Sequence, residues 1–153
     1  MYRHYLIPLL LGILLVSCAA PTPPPAIEVP GEDPDRTVLP PATTSPAVVN
    51  LLNQAREATR AGELQRAEVL LERTVRIEPR NAALWHYMAK LRLHQARLQD
   101  AIGLAAKSNS LAGSNNKLKA DNWRIIAHAR QQTGDTRGAR EAQARADSLS
   151  DAR

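Results

Sequence analysis

From Pro46 onward prolines all but vanish, and small and turn-forming residues recur at matching offsets. Gly62 stands five residues before Ala67 and seventeen before Pro79; Trp85 stands sixteen before Ala101; Trp123 stands eleven before Gly134 and sixteen before Ala139. Between these marks the apolar residues follow a helical period. Gly62 and Gly134 fall where a first helix must end and reverse, a place for a residue that tolerates positive φ. Ala67, Ala89, Ala101, Ala127 and Ala139 fall where two helices approach closely and a larger side chain would force them apart. Pro79 stops a second helix, since the residue before a proline is driven out of the helical region. The chain has no Phe, and its 44% hydrophobic content is mostly Ala and Leu. Small-side-chain helix packing is therefore expected, and the fold class is all-α.

These offsets resemble the tetratricopeptide repeat, a helix–turn–helix unit of 34 residues. The resemblance implies a solenoid of about three repeats, at about 48–81, 82–115 and 120–150, within a domain spanning 47–150. Repeat two departs from the pattern, with Ala96-Arg97 in place of Gly-Asp and Gly113 in place of Pro. Between repeats two and three the segment "SNSLAGSNNKLKAD" stretches the period from 34 to 38, which predicts an extended helix or a longer loop across 108–119. The stretch 138–149, "GAREAQARADSL", is expected to be the polar-faced terminal cap that a short solenoid needs.

Ahead of this domain lie two segments of other character. Residues 1–17, "MYRHYLIPLLLGILLVS", have a short basic start and an apolar core of about ten residues, too short for the roughly 20 that span a bilayer but suited to a secretory signal. The single cysteine follows at once. One Cys can make no internal disulfide and no Cys-rich zinc site. Leu15-Val16-Ser17-Cys18 resembles the bacterial lipobox, which implies cleavage before Cys18 and diacylglycerol attached to its thiol, with a further acyl chain on the freed amine. Several chains hold a protein on a bilayer where one is marginal, at about 0.8 kcal/mol per buried CH₂. Ala19 is not the Asp that retains such lipoproteins on the inner membrane, so the resemblance implies the outer membrane, facing the periplasm. The implied modification is the covalent lipid on Cys18, and no other cofactor is expected.

Residues 18–46 hold nine prolines and few apolar side chains, which predicts a disordered, proline-rich tether. Charge is segregated across the boundary. Residues 19–46 carry four acids against one Arg, whereas 47–153 carry eighteen Lys and Arg against eleven Asp and Glu. The basic character belongs to the domain.

No enzyme constellation is legible: carboxylates are scattered singly, and no Gly-rich phosphate loop follows a strand. The repeat resemblance implies instead a concave groove lined by the first helix of each repeat. Its residues are expected at Leu52, Arg56 and Arg60, at His86, Lys90 and His94, and at Arg124, His128 and Gln131. Such a groove would be basic and histidine-rich, suited to an acidic peptide or a negatively charged patch of a protein. It is not a metal site, because His86 and His94, eight residues apart, lie about 12 Å apart along a helix, too far to share an ion at ~2.1 Å. Trp85 and Trp123 read as interhelical packing residues. An export signal disfavours nucleic acid as the partner of the basic domain.

A closer resemblance rests on "LAAKSNSLA" at 104–112 and "NWRIIA" at 122–127, together with the order signal, lipidated Cys, tether and repeats. In these the chain resembles the LpoP-type outer-membrane lipoproteins of gamma-proteobacteria. The resemblance implies a repeat domain that reaches the cell wall and activates a bifunctional class A penicillin-binding protein. Two other readings stand beside it: a general adaptor in secretion, pilus or outer-membrane-protein assembly, and a domain that binds peptidoglycan itself.

Overall fold

The computed structural model describes residues 38–151. The expected signal at 1–17, Cys18 and the expected tether up to residue 37 lie outside the described residues. Six helices follow one another: α1 (Pro46–Arg60), α2 (Leu64–Ile77), α3 (Ala82–His94), α4 (Leu98–Leu111), α5 (Asn116–Gln132) and α6 (Thr136–Asp151). Each odd helix packs on the even helix after it, α2 packs on α3, and α4 packs on α5. The architecture is an all-α stack of three helical hairpins, and no described helix is long and apolar enough to cross a membrane.

The three hairpins turn by one device. In each, the second residue past the first helix takes positive φ: Gly62 at 75°, Ala96 at 55° and Gly134 at 80°. The next residue then donates its N–H back across the turn, Glu63 to Ala58 O at 2.8 Å, Arg97 to Arg92 O at 2.9 Å and Asp135 to Arg130 O at 2.9 Å. This closes the last helical carbonyls that would otherwise be left without donors. The first helix of each hairpin, α1, α3 and α5, starts at a side-chain cap. Ser45 Oγ accepts from Val48 N with Pro46 at the first helical position, Asn81 accepts from Ala83 N, and Asn115 accepts from Leu118 N. Glu78, ahead of Pro79, ends α2 by leaving the helical region, at φ −126° and ψ 72°.

The alanines marked in the sequence all lie buried at helix crossings, Ala67, Ala89 and Ala101 with no exposed surface at all. The core forms two clusters. One joins α1 and α2 to the start of α3 and includes Leu52, Leu71, Leu84 and Tyr87; the other joins the end of α3 to α4, α5 and α6 and includes Leu93, Ile125 and Ile126. Helix α3 belongs to both. Ten of its thirteen residues are buried, which is why its hydrophobic residues show no single face.

Of the two alternatives for 108–119, the extended helix is the one observed: α4 runs to Leu111, α5 starts at Asn116, and repeat three begins about four residues earlier than 120. Asn115 supplies the cap, and the added turn of helix buries Leu118 in the first cluster. Residues 38–45, expected in the tether, belong instead to the folded domain, because Val38 is only 6% exposed and belongs to the same core cluster. Residues 38–45 are a strap, held where Tyr87 Oη donates to Val38 O at 2.8 Å, Ser45 N to Glu78 Oε1 at 2.9 Å and Asn81 Nδ2 to Thr44 Oγ1 at 2.9 Å.

Candidate protein-binding face

The nine residues expected to line the groove do not share one environment. Leu52 is 2% exposed and sits in the first core cluster, so it packs hairpins rather than meeting a partner. His86 is 3% exposed. Arg56 is half-buried with its guanidinium 5.7 Å from the centre of the Tyr87 ring, a cation–π contact. Arg60 pairs with Glu57 at 2.6 Å. Arg124 pairs with Asp121 at 2.6 Å and donates to Ser150 Oγ at 2.8 Å. His128 Nε2 lies 2.7 Å from Gln132 Nε2. Lys90 is half-buried, while His94 and Gln131 are exposed. The surface left for a partner is therefore narrower and less positive than the residue types alone imply, because local carboxylates take up two of its arginines.

The strap adds a feature that periodicity could not predict. Val38 is buried against the core, and Tyr87, under it, has its phenol pushed above its ordinary range by burial, with the nearby Arg56 charge opposing the shift. Glu78 anchors the other end. Burial would push its carboxyl up, but hydrogen bonds from Asn81 and from Ser45 N outweigh that and hold it below the usual range. Sequence reasoning passed over Tyr87, Glu78 and Asn81. Nothing in a proline-rich run indicates that its last residues return to the domain.

His86 has a structural role. Asn122 Nδ2 donates to Ser108 Oγ at 2.8 Å and to Asn109 Oδ1 at 2.9 Å, and Ser108 Oγ donates to Ala82 O at 2.8 Å. With both Asn122 protons used, its Oδ1 is the acceptor for His86 Nδ1 at 2.8 Å, which places the imidazole proton on Nδ1. This network ties α3, α4 and α5 together in the core, where the low dielectric makes each satisfied bond matter. Ser108 and Asn109 come from "LAAKSNSLA" and Asn122 from "NWRIIA", so the two segments that carried the closest resemblance meet in space. A second polar network joins hairpins one and two: Arg92 pairs with Glu68 at 2.6 Å, and Gln95 Nε2 donates to the other oxygen of Glu68 at 2.8 Å. The bond from Gln95, then that from Arg92, holds the Glu68 carboxyl below its ordinary range.

The tryptophans serve packing. Trp123 leans on the second cluster with the Arg145 guanidinium 4.7 Å from its ring centre, and Trp85 Nε1 donates to Pro79 O at 2.8 Å, fixing the turn between α2 and α3. Among the described residues there is no group of three or more His, Cys, Asp or Glu placed to hold a metal ion.

No protein-family model matches the chain, and no curated protein matches it either. Among solved structures, it is similar to one described as the structure of the globular C-terminal domain of P. aeruginosa LpoP. The two share 33% identity and a TM-score of 0.66, over 67% of this chain and 97% of that one. A helical-repeat domain shared at that identity over nearly its whole length makes this chain a member of the LpoP family.

Proposed function

We propose that this chain is a non-enzymatic outer-membrane lipoprotein, lipidated at Cys18, whose repeat domain binds and activates a bifunctional class A penicillin-binding protein. The observation that carries the reading is the shared domain, 33% identical across 97% of the LpoP domain. The lipobox-like Cys18 and the proline-rich segment after it support the anchor and the reach. The mechanism is differential binding: a regulator that contacts the active conformation of the synthase better than the inactive one shifts its population by that difference. A direct test is capture of a purified class A synthase by immobilised 38–153, which contains every described residue. Binding is expected, and its absence overturns the reading. If the domain instead captures components of secretion or outer-membrane-protein assembly, the adaptor reading replaces it; sedimentation with purified sacculi tests peptidoglycan itself.

A further inference from the structure

The strap lies over residues of the face on which a partner is expected. Val38 is buried in the first core cluster together with Leu52 and Tyr87. Tyr87 Oη donates to the Val38 carbonyl at 2.8 Å, and the Arg56 guanidinium sits 5.7 Å from the centre of the same ring. Leu52 and Arg56 are two of the positions that the repeat pattern assigns to the groove. A side chain seated in an apolar site and a backbone carbonyl met by a fixed donor are the two contacts by which proteins hold extended peptides, one giving preference and the other alignment. The two ends of the strap are held unequally. At the Ser45 end, Ser45 Oγ caps α1, Ser45 N donates to Glu78 Oε1 and Asn81 Nδ2 donates to Thr44 Oγ1. The Val38 end rests on one seated side chain and the bond from Tyr87. Leu39, the next residue, is 77% exposed, and Pro40 and Pro41 carry no N–H to donate. A turn closed by Thr44 N to Pro41 O at 2.9 Å separates the two ends, so residues 38–41 can swing out without disturbing the cap of α1.

We propose that the seat under Val38 is a binding site for an extended aliphatic segment of the partner, and that the strap covers it as an autoinhibitory contact. The identity of that partner rests on the function proposed above, whereas the site rests on the contacts of Val38. With the strap out, the Tyr87 hydroxyl and the apolar seat beside it are left open on the groove side of α3. A segment that brings a branched aliphatic side chain and a backbone carbonyl in extended conformation takes over both contacts. The strap competes from within the same chain, at an effective concentration on the order of millimolar. A short free peptide therefore displaces it poorly, and a protein partner succeeds by adding contacts elsewhere on the face. The apparent affinity is the intrinsic one reduced by the fraction of chains whose strap is out, so a strap open about one time in ten weakens binding about tenfold.

The test uses the chain from residue 18 onward with Cys18→Ser, which keeps every described residue, with and without Val38→Lys. That substitution puts beside Arg56 a charge that the seat cannot bury, and it alters no helix; Val38→Ala is its milder form. A purified class A synthase should bind the Val38→Lys chain about tenfold more tightly than the intact one, with Val38→Ala between them. A synthetic peptide of residues 36–41, "RTVLPP", at up to ~1 mM should shift the amide signals of Arg56 and Tyr87 in the Val38→Lys chain and leave them in place in the intact chain. The same peptide carrying Val38→Lys should shift neither. Equal or weaker synthase binding by the Val38→Lys chain overturns the autoinhibitory contact. A peptide that leaves the Val38→Lys chain unshifted, or shifts both chains alike, overturns the site. If the synthase binds none of the chains, the proposed function fails, and the peptide decides the site by itself.

Discussion

Ala96 adopts φ 55° in the turn where the other two hairpins use glycine. A Cβ in that conformation costs on the order of 1–2 kcal/mol, so Ala96→Gly is expected to stabilise the domain by about 1 kcal/mol after the added chain entropy, read as a raised Tm. Tyr87→Phe removes the donor to Val38 O and should cost about 1 kcal/mol while speeding amide exchange in the strap. Two carboxyls set the pH dependence. Glu68 and Glu78 both lie below the ordinary 4.5 in the folded chain, so their contribution is complete above that value and is lost as pH falls through the folded pKa values. Denaturation profiles should be flat through neutrality and decline below about pH 4.5, and Glu78→Gln should flatten part of that decline. At this scale the sequence could be read where backbone geometry dictates a residue type, as at Gly62 and Gly134. It could not be read where a side chain's partner is distant in the chain, as for His86 with Asn122.

Helices and their order were legible where local signals mark them: Gly62 and Gly134 for reversal and Pro79 for a stop, whereas the caps Ser45 and Asn81 went unread. The second and third hairpins show where local signals end. The additional residues after Leu111 carry helix and loop formers alike, and burial of Leu118 against the first cluster decides for helix. What joins hairpin two to hairpin three is the Asn122 network. Asn122→Ala should leave His86 Nδ1 and Ser108 Oγ short of buried partners and cost about 2–4 kcal/mol, well beyond the cost of an exposed Asn→Ala. Chemical denaturation checks the size, and loss of amide protection in α5 and α6 ahead of α1 and α2 checks the location.

For the whole molecule, the expectation of a uniformly basic groove gives way to one in which Leu52 and His86 belong to the core and Arg60 and Arg124 already have carboxylate partners. Residue types at repeat positions indicate which helix face points inward, but not which cations are neutralised by neighbours three residues away. The side chains to alter are therefore exposed ones. Paired His94→Glu and Gln131→Glu should weaken binding to the synthase about tenfold, or ~1.4 kcal/mol, with Tm unchanged. Unchanged affinity would move the interface off this face. Activation is read most directly as the rate of glycan polymerisation by a purified class A penicillin-binding protein, with and without saturating 38–153. A faster rate is expected, returning to the basal value with His94→Glu/Gln131→Glu at sub-saturating concentration. An unchanged rate at saturation, with the domain folded, would contradict activation.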